Sequence, residues 1–402
     1  MIGSASRTQY PPRRISARKR IAIIASLAMS LINFRFQLIK AMVDEGHEVI
    51  AFAPECDPEV LDVLQSIGVR FIQIPMARTG LNPFADLRTL FSLCRHLHQL
   101  KPDVVLPYTM KPIVYGCLAA RIVGVPHRFA LFTGLGHVFA GETPTARMVL
   151  VRQISVWLYR AALGGVERIF VYNDADAQDI CKHRMLLDNS IIKFVPGSGV
   201  DLDHFARAKF PNGELKLLLI ARLLRDKGIF EYARAARHLR QKHANIRFQL
   251  LGPFEPHSSS LNKKEIDDLE REGVLEYLGE TRDVRPFLSA CNVFVLPTYY
   301  REGIPRSILE AMAIGRAIIT TDTPGCRETV VENENGFLVP PRDHIELAEA
   351  MERFIVDPGL AKTMGQRSHQ LARERFDVHA VNRLLLETMN LIEKSEDRMG
   401  RP

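Results

Sequence analysis

Two carboxylates in the second half of the chain are spaced for chemistry. Glu302 and Glu310, with seven residues between them, lie in Pro297–Val331, which reads PTYYREGIPRSILEAMAIGRAIITTDTPGCRETVV. Val293–Leu296 just before is a short apolar run ending at Pro297, as a buried strand would be. Gly303 breaks the chain, and Pro305 suits a helix's first turn, where its missing N–H had no partner anyway. Ser307–Ile314 is helix-forming, Gly315 can close that helix, and Ala317–Thr320 is the next buried strand. The unit is one parallel βαβ repeat. Glu302 then falls on the turn at a strand's C-terminal end, where open α/β sheets take ligands. Glu310 lies within the helix among Ile308, Leu309, Ala311, Met312 and Ala313, and a carboxylate so placed needs hydrogen-bond donors. A ribose 2′,3′-diol presents two hydroxyls that one carboxylate can accept together. The N–H groups of Gly303 and Ile304, at a helix N-terminus, suit an anionic or oxygen-rich ligand. Taken alone, the pair also fits a loop acid and a solvated helix residue.

Arg222 and Lys227 flank a turn after the strand Leu217–Ile220, so both point from the sheet's C-terminal edge. Arginine grips phosphate through two parallel N–H bonds, and lysine adds a compact charge. Lys227-Gly228 opens a helix whose N-terminus adds donors. A solvated turn in a basic protein is the alternative.

The rest of the chain must position these groups. Its 402 residues suggest two domains, and 47% hydrophobic with 25% charged residues is ordinary for a globular protein. The six cysteines are scattered without a C-x-x-C, which suits a reducing cytosol and argues against a zinc ribbon or disulfide framework. The formal charge is +7, with residues 1–195 at +8 and residues 196–402 at −1. That asymmetry fits a first domain meeting an anionic membrane surface, although six of the positive charges lie in Arg7–Arg20. No nucleic-acid partner is expected.

Residues 1–20 read as a disordered basic arm. With Ile21–Ile32 the arm imitates a signal peptide. The apolar run continues into Asn33-Phe34-Arg35 with no clear cleavage site, and a first buried strand at Ile21–Ala25 explains it better. No stretch reaches the roughly 18–20 apolar residues of a spanning helix, so any membrane contact is expected to be peripheral. Strands then alternate with helices, including Phe34–Glu45, Pro58–Ile67, Phe84–Leu100 and Ile113–Val123. Such alternation predicts a doubly wound parallel sheet. Phe84, Leu87, Phe91, Cys94 and Leu97 share one helix face. Thr143–Ala162, with Arg147, Arg152, Trp157 and Arg160, either packs on the core or rests on lipid. Gly134-Leu135-Gly136 comes too late for a dinucleotide fingerprint, which counts against an NAD enzyme. A second strand–helix series begins at Lys216–Ala221.

Four segments, in order, carry a resemblance: Pro196–Phe205 (PGSGVDLDHF), Ala221–Gly228 (ARLLRDKG), Glu302–Gly315 (EGIPRSILEAMAIG) and Thr321–Pro340 (TDTPGCRETVVENENGFLVP). The chain resembles the retaining glycosyltransferases of the GT-B fold that carry the Glu-x7-Glu motif, and among them enzymes building lipid-linked or exported polysaccharides. The resemblance implies an α/β fold of two Rossmann-like doubly wound parallel-sheet domains facing across a cleft. An acceptor domain would span 21–195 and a nucleotide-sugar domain 196–375, with a C-terminal helix in 376–402 crossing back. Arg222 and Lys227 would hold the donor diphosphate and stabilise its charge as it leaves. Glu310 would bind the ribose, Gly303 and Ile304 would offer N–H groups, and Val284 would line the base. Glu302 would orient the donor sugar and support oxocarbenium charge in a front-side displacement; a covalent nucleophile is the alternative. No metal or other cofactor is expected beyond the co-substrate, a UDP-sugar. Asn33, Lys111 and His137 are the acceptor-side candidates for a lipid-linked saccharide, although paired glycines usual near Ser30–Asn33 are missing. Cytoplasmic placement, peripheral on the inner membrane face, follows. A nucleotide-sugar epimerase and a catalytically silent sugar-nucleotide-binding protein are the rivals. Loss of the acid pair or the Arg/Lys pair would mark the silent protein, and all four residues are present.

Overall fold

The computed structural model describes residues 17–77, 80, 82–135, 139, 146–255 and 259–394; most of the basic arm and His137 lie outside them. The first domain runs β1 (Arg20–Ile24), α1 (Met29–Phe34), α2 (Phe36–Asp44), β2 (Glu48–Ala53), α3 (Pro58–Ser66), β3 (Arg70–Gln73) and α4 (Pro83–Leu100). It continues with β4 (Val104–Pro107), α5 (Met110–Ile122), β5 (His127–Leu131), α6 (Ala146–Leu163), β6 (Arg168–Val171), α7 (Asp174–Lys182) and β7 (Ile192–Phe194). The second domain has β8 (Leu215–Ile220), α8 (Ile229–Arg240), β9 (Ile246–Leu251), α9 (Lys263–Arg271), β10 (Glu276–Tyr277), α10 (Arg285–Ala290) and β11 (Val293–Leu296). Then come α11 (Arg306–Ile314), β12 (Ala317–Thr321), β13 (Gly336–Val339), α12 (His344–Val356), α13 (Pro358–Arg375) and α14 (Val378–Thr388).

The sheets are ordered β3-β2-β1-β4-β5-β6-β7 and β10-β9-β8-β11-β12-β13. Every pairing within them is parallel. Helices cover both faces, so central strands such as Val104–Leu106 and Val293–Leu296 are buried throughout and read as continuous apolar runs. Strand order reverses between β1 and β4, where Ile24 pairs with Pro107, and between β8 and β11, where Leu218 pairs with Phe294. Such reversals open a crevice at the strands' carboxyl ends. One apolar cluster joins the two domains, and α14 packs on α2 of the first domain. His47 Nε2 lies 2.9 Å from the Leu391 carbonyl in the same region.

The helix expected over Phe34–Glu45 is present as α2, which starts just after Arg35 at φ −123° and ψ −2°; a separate short helix, α1, precedes it and takes in Ser30–Asn33. In α4, Phe84, Leu87 and Phe91 point outward, while Leu93 and Leu97 enter the core. The helix carries two apolar stripes, and the one facing α5 is buried. Among the described residues, no helix is long and apolar enough to cross a membrane.

Candidate active site in the interdomain cleft

Both strand-order reversals face one cavity of about 470 Å³. Arg222, Lys227, Glu302, Gly303 and Ile304 line it from the second domain; Ser30, Arg35 and Thr109 line it from the first. Backbone hydrogen bonds bring the distant segments together. The Asp226 carbonyl accepts from the Thr298 hydroxyl at 3.0 Å, Tyr299 N–H at 2.9 Å and Tyr300 N–H at 3.0 Å. The turn carrying Lys227 is thereby fixed to the end of β11. The Lys227 ammonium pairs with the Glu302 carboxylate and lies 4.8 Å from the Tyr300 ring centre. Arg222 Nη1 meets Glu255 Oε2 at 2.8 Å on a more exposed rim.

Glu310 sits in an adjoining cavity of about 790 Å³, with Asn33, Arg282 and Asp283. Phe34, Ser198, Thr281, Val284 and Arg306 line both cavities, so the two are compartments of one cleft. The Glu310 carboxylate accepts from Arg306 Nε at 2.8 Å, one helical turn back. Arg306 also lies 5.6 Å from the centre of the Phe34 ring, across the domain boundary. This i,i+4 partner was readable in the sequence but was not singled out.

Burial raises the Glu310 pKa, with Arg306 pulling the other way. The sign matters for stability. A carboxylate raised in the fold loses stability as pH climbs from the ordinary carboxylate range through its folded value. Glu310→Gln removes that cost. Its apparent melting temperature is therefore expected to exceed wild type by a margin that grows as pH rises above the ordinary carboxylate range. On the ribose-binding role that the family resemblance implies for Glu310, UDP affinity is also expected to fall about tenfold or more, with the loss of charged hydrogen bonds to the diol. Thermal scans and calorimetric titration with UDP check both.

The acceptor-side candidates scatter. Asn33 lines the Glu310 compartment. Lys111 lines neither compartment: its ammonium is 2.8 Å from Asp86 Oδ1 on α4, and both side chains are nearly buried. His137 lies outside the described residues. Thr109, absent from the sequence candidates, takes φ +68° and ψ 163° at the end of β4, a conformation costly for a β-branched residue. Its hydroxyl is 2.9 Å from that of Ser26.

The turn bearing Glu302 is anchored in the opposite domain. Arg301 Nη2 donates to Asp176 Oδ1 at 2.9 Å, and Nη1 pairs with Asp179, both on α7. Asn173 Nδ2 donates to the Gly303 carbonyl at 3.4 Å. Gly303 has no room for a side chain, because a Cβ there would stand 2.4 Å from the Thr133 carbonyl oxygen. Gly325, at φ +88°, would place a Cβ 1.9 Å from the Gly303 oxygen, so its closeness serves packing on this turn. No local pattern announces a pair formed across 125 residues. Asp176 is fully buried, and burial raises its pKa against the pull of Arg301. Arg301→Gln strands that charge and should destabilise the fold by the ~3–5 kcal/mol of a broken buried pair, seen as a clearly lower thermal midpoint. Adding Asp176→Asn should recover most of the loss; a double variant no more stable than the single one would contradict this.

In each of the chain's two Asp-x-Asp spacings one carboxylate is already engaged within the fold. Asp176 belongs to the Arg301 pair, and Asp201 accepts from Gln37 and from the Asp203 and His204 N–H groups. Among the described residues, no three His, Cys, Asp or Glu side chains gather as a ligand set.

The "Glycosyl transferases group 1" family matches residues 201–371 and the "Glycosyl transferase 4-like domain" family matches residues 35–195. The N,N'-diacetylbacillosaminyl-diphospho-undecaprenol alpha-1,3-N-acetylgalactosaminyltransferase of Campylobacter jejuni is 28% identical, over 94% of this chain and 100% of its own. The UDP-Gal:alpha-D-GlcNAc-diphosphoundecaprenol alpha-1,3-galactosyltransferase of Escherichia coli is also 28% identical, over 80% and 83%. Among solved structures, sucrose-phosphate synthase of Thermosynechococcus elongatus superposes with TM-score 0.76 at 20% identity, covering 93% of this chain and 98% of its own. Anabaena HepE in complex with UDP does so at 0.73 and 18%, covering 92% and 99%. With its two parallel-sheet domains and two glycosyltransferase families matched in tandem over residues 35–195 and 201–371, the chain is a glycosyltransferase of GT-B fold.

Proposed function

We propose that this glycosyltransferase moves a sugar, with retention, from a UDP-sugar to a saccharide carried on a polyprenyl diphosphate, in the synthesis of a cell-surface polysaccharide. The observation that carries the reading is the convergence of Arg222, Lys227 and Glu302 on the cavity that adjoins Glu310. Two relatives aligned over most of the chain are named for undecaprenyl-diphosphate-linked acceptors, one for a UDP-sugar donor. In this reading the diphosphate lies on Arg222 and Lys227, the ribose on Glu310, and the base beside Val284. The donor's C1–O bond breaks, and its electron pair passes to the phosphate oxygen, where the two cations and the N–H groups of Gly303 and Ile304 meet the growing charge. The acceptor hydroxyl joins C1 on the same face and gives its proton to the leaving phosphate. Glu302 orients the donor's hydroxyls. Its pairing with Lys227 favours that role over covalent attack. No metal is needed to neutralise the diphosphate.

Mass spectrometry of polyprenyl-diphosphate saccharides incubated with a panel of nucleotide sugars tests the proposal. Growth of the lipid-linked glycan by one sugar supports it. Isomerisation of the nucleotide sugar without acceptor would instead make the protein an epimerase.

We place the enzyme peripherally on the inner membrane face. Phe84 (85% exposed) and Phe91 on α4, and Leu150, Ile154 and Trp157 (66% exposed) on α6, flank the intervening α5. Arg88, Arg95 and Arg160 are exposed on the same helices. Bulky apolar groups among arginines suit an anionic bilayer surface. Changing Phe84, Phe91 and Trp157 together to serine should abolish co-sedimentation with anionic vesicles and spare turnover of a water-soluble acceptor; retained co-sedimentation would contradict the assignment.

A further inference from the structure

Four cations line the catalytic compartment: Arg35, Arg222, Lys227 and Arg306. Three have carboxylate partners, namely Glu255, Glu302 and Glu310. Arg35 has none among the described residues, yet it is only 4% exposed. Its Nη2 donates to the Tyr172 hydroxyl at 2.6 Å, Nη1 reaches the Phe34 carbonyl at 3.4 Å, and Nε is buried without a partner. The guanidinium lies 5.1 Å from the Tyr108 ring centre and 5.9 Å from that of Tyr172. Burial pushes the Tyr108 phenol up to about 12, so Tyr108 supplies no negative charge. A buried cation without a counter-ion is costly unless a ligand brings one. The surrounding first-domain wall is built from hydroxyls: Ser30 Oγ is 2.7 Å from Tyr108 Oη, and Ser26 and strained Thr109 stand beside them.

We propose that Arg35 is a phosphate-recognition residue on the first-domain side of the cleft and that it takes the diphosphate of the lipid-linked acceptor. The assignment to the acceptor rests on the function proposed above and on position. Arg222 and Lys227 meet one diphosphate from the second domain, whereas Arg35 belongs to the facing wall. A guanidinium packed against two rings offers a planar fork suited to two-point contact with phosphate oxygens. Lys111, the other first-domain candidate, is already neutralised by Asp86.

The test compares wild type, Arg35→Gln and Arg35→Lys on two acceptors, a polyprenyl-diphosphate-linked sugar and an alkyl glycoside of the same sugar. For Arg35→Gln, kcat/KM should drop at least tenfold on the diphosphate acceptor and stay within twofold on the alkyl glycoside. Arg35→Lys should recover part of the loss, and the Kd for UDP should be unchanged. Equal loss on both acceptors would make Arg35 merely structural, and weakened UDP binding would assign it to the donor; either overturns the proposal. Should Arg35→Gln fail to fold, Tyr172→Phe, which removes the hydroxyl holding Arg35, should show a smaller loss with the same selectivity; no selectivity would overturn it. A separate arm titrates inorganic pyrophosphate into enzyme saturated with UDP. Binding by wild type and not by Arg35→Gln supports the site even if neither acceptor is used, an outcome that would sink the acceptor reading alone. Equal binding by both counts against the site.

Discussion

Lys227→Ala is expected to lower kcat by about 10²- to 10³-fold, the ~2.7–4 kcal/mol typical of a lost donor at developing charge. The structure makes this more than the loss of one contact. The ammonium and the Glu302 carboxylate are paired with side chains only 10% and 14% exposed, so removing either strands the other in a poorly hydrated place. Glu302→Gln should therefore also depress kcat strongly. The double variant should cost clearly less than the two single losses combined, because both substitutions dismantle one unit. Strict additivity in steady-state kinetics would show that the two groups act separately.

Arg222→Ala should reduce kcat/KM for the donor about 30- to 1000-fold, or ~2–4 kcal/mol of transition-state stabilisation. Its effect on folding should be small, because the Arg222–Glu255 pair is about one-third exposed and such pairs contribute little. Arg222→Lys should recover only part of the activity, since an ammonium cannot reproduce the two-pronged grip on phosphate. Activity of Arg222→Ala within threefold of wild type would remove the residue from the diphosphate site.

Much of this architecture was legible because it is local. Val293–Leu296, Gly303, Pro305 and Gly315 spell strand, turn and helix in one unbroken stretch, and that unit alone put Glu302 at a sheet edge. Arg222 and Lys227 were placed by the same strand-then-turn logic. Contacts made across the chain were not legible. The Lys227–Glu302 pair depends on how the Asp226 carbonyl collects donors from residues 298–300. The Arg301–Asp176 pair joins two domains. Arg35 read as one residue of a continuous helix, because hydrophobic periodicity carries no information about the break that turns it inward. The orientation of α4 was not legible for a related reason. Periodicity shows that Phe84, Leu87 and Phe91 share a side but not which side the core occupies.

The central claim is that acids and cations from separate segments hold one nucleotide along the cleft between the domains. A crystal structure of the enzyme with UDP tests it most directly. The account predicts diphosphate oxygens within hydrogen-bonding distance of Arg222 and Lys227, and both ribose hydroxyls on Glu310 with Arg306 drawn aside. UDP bound elsewhere, or lying in the cleft with its ribose turned away from Glu310, would contradict it.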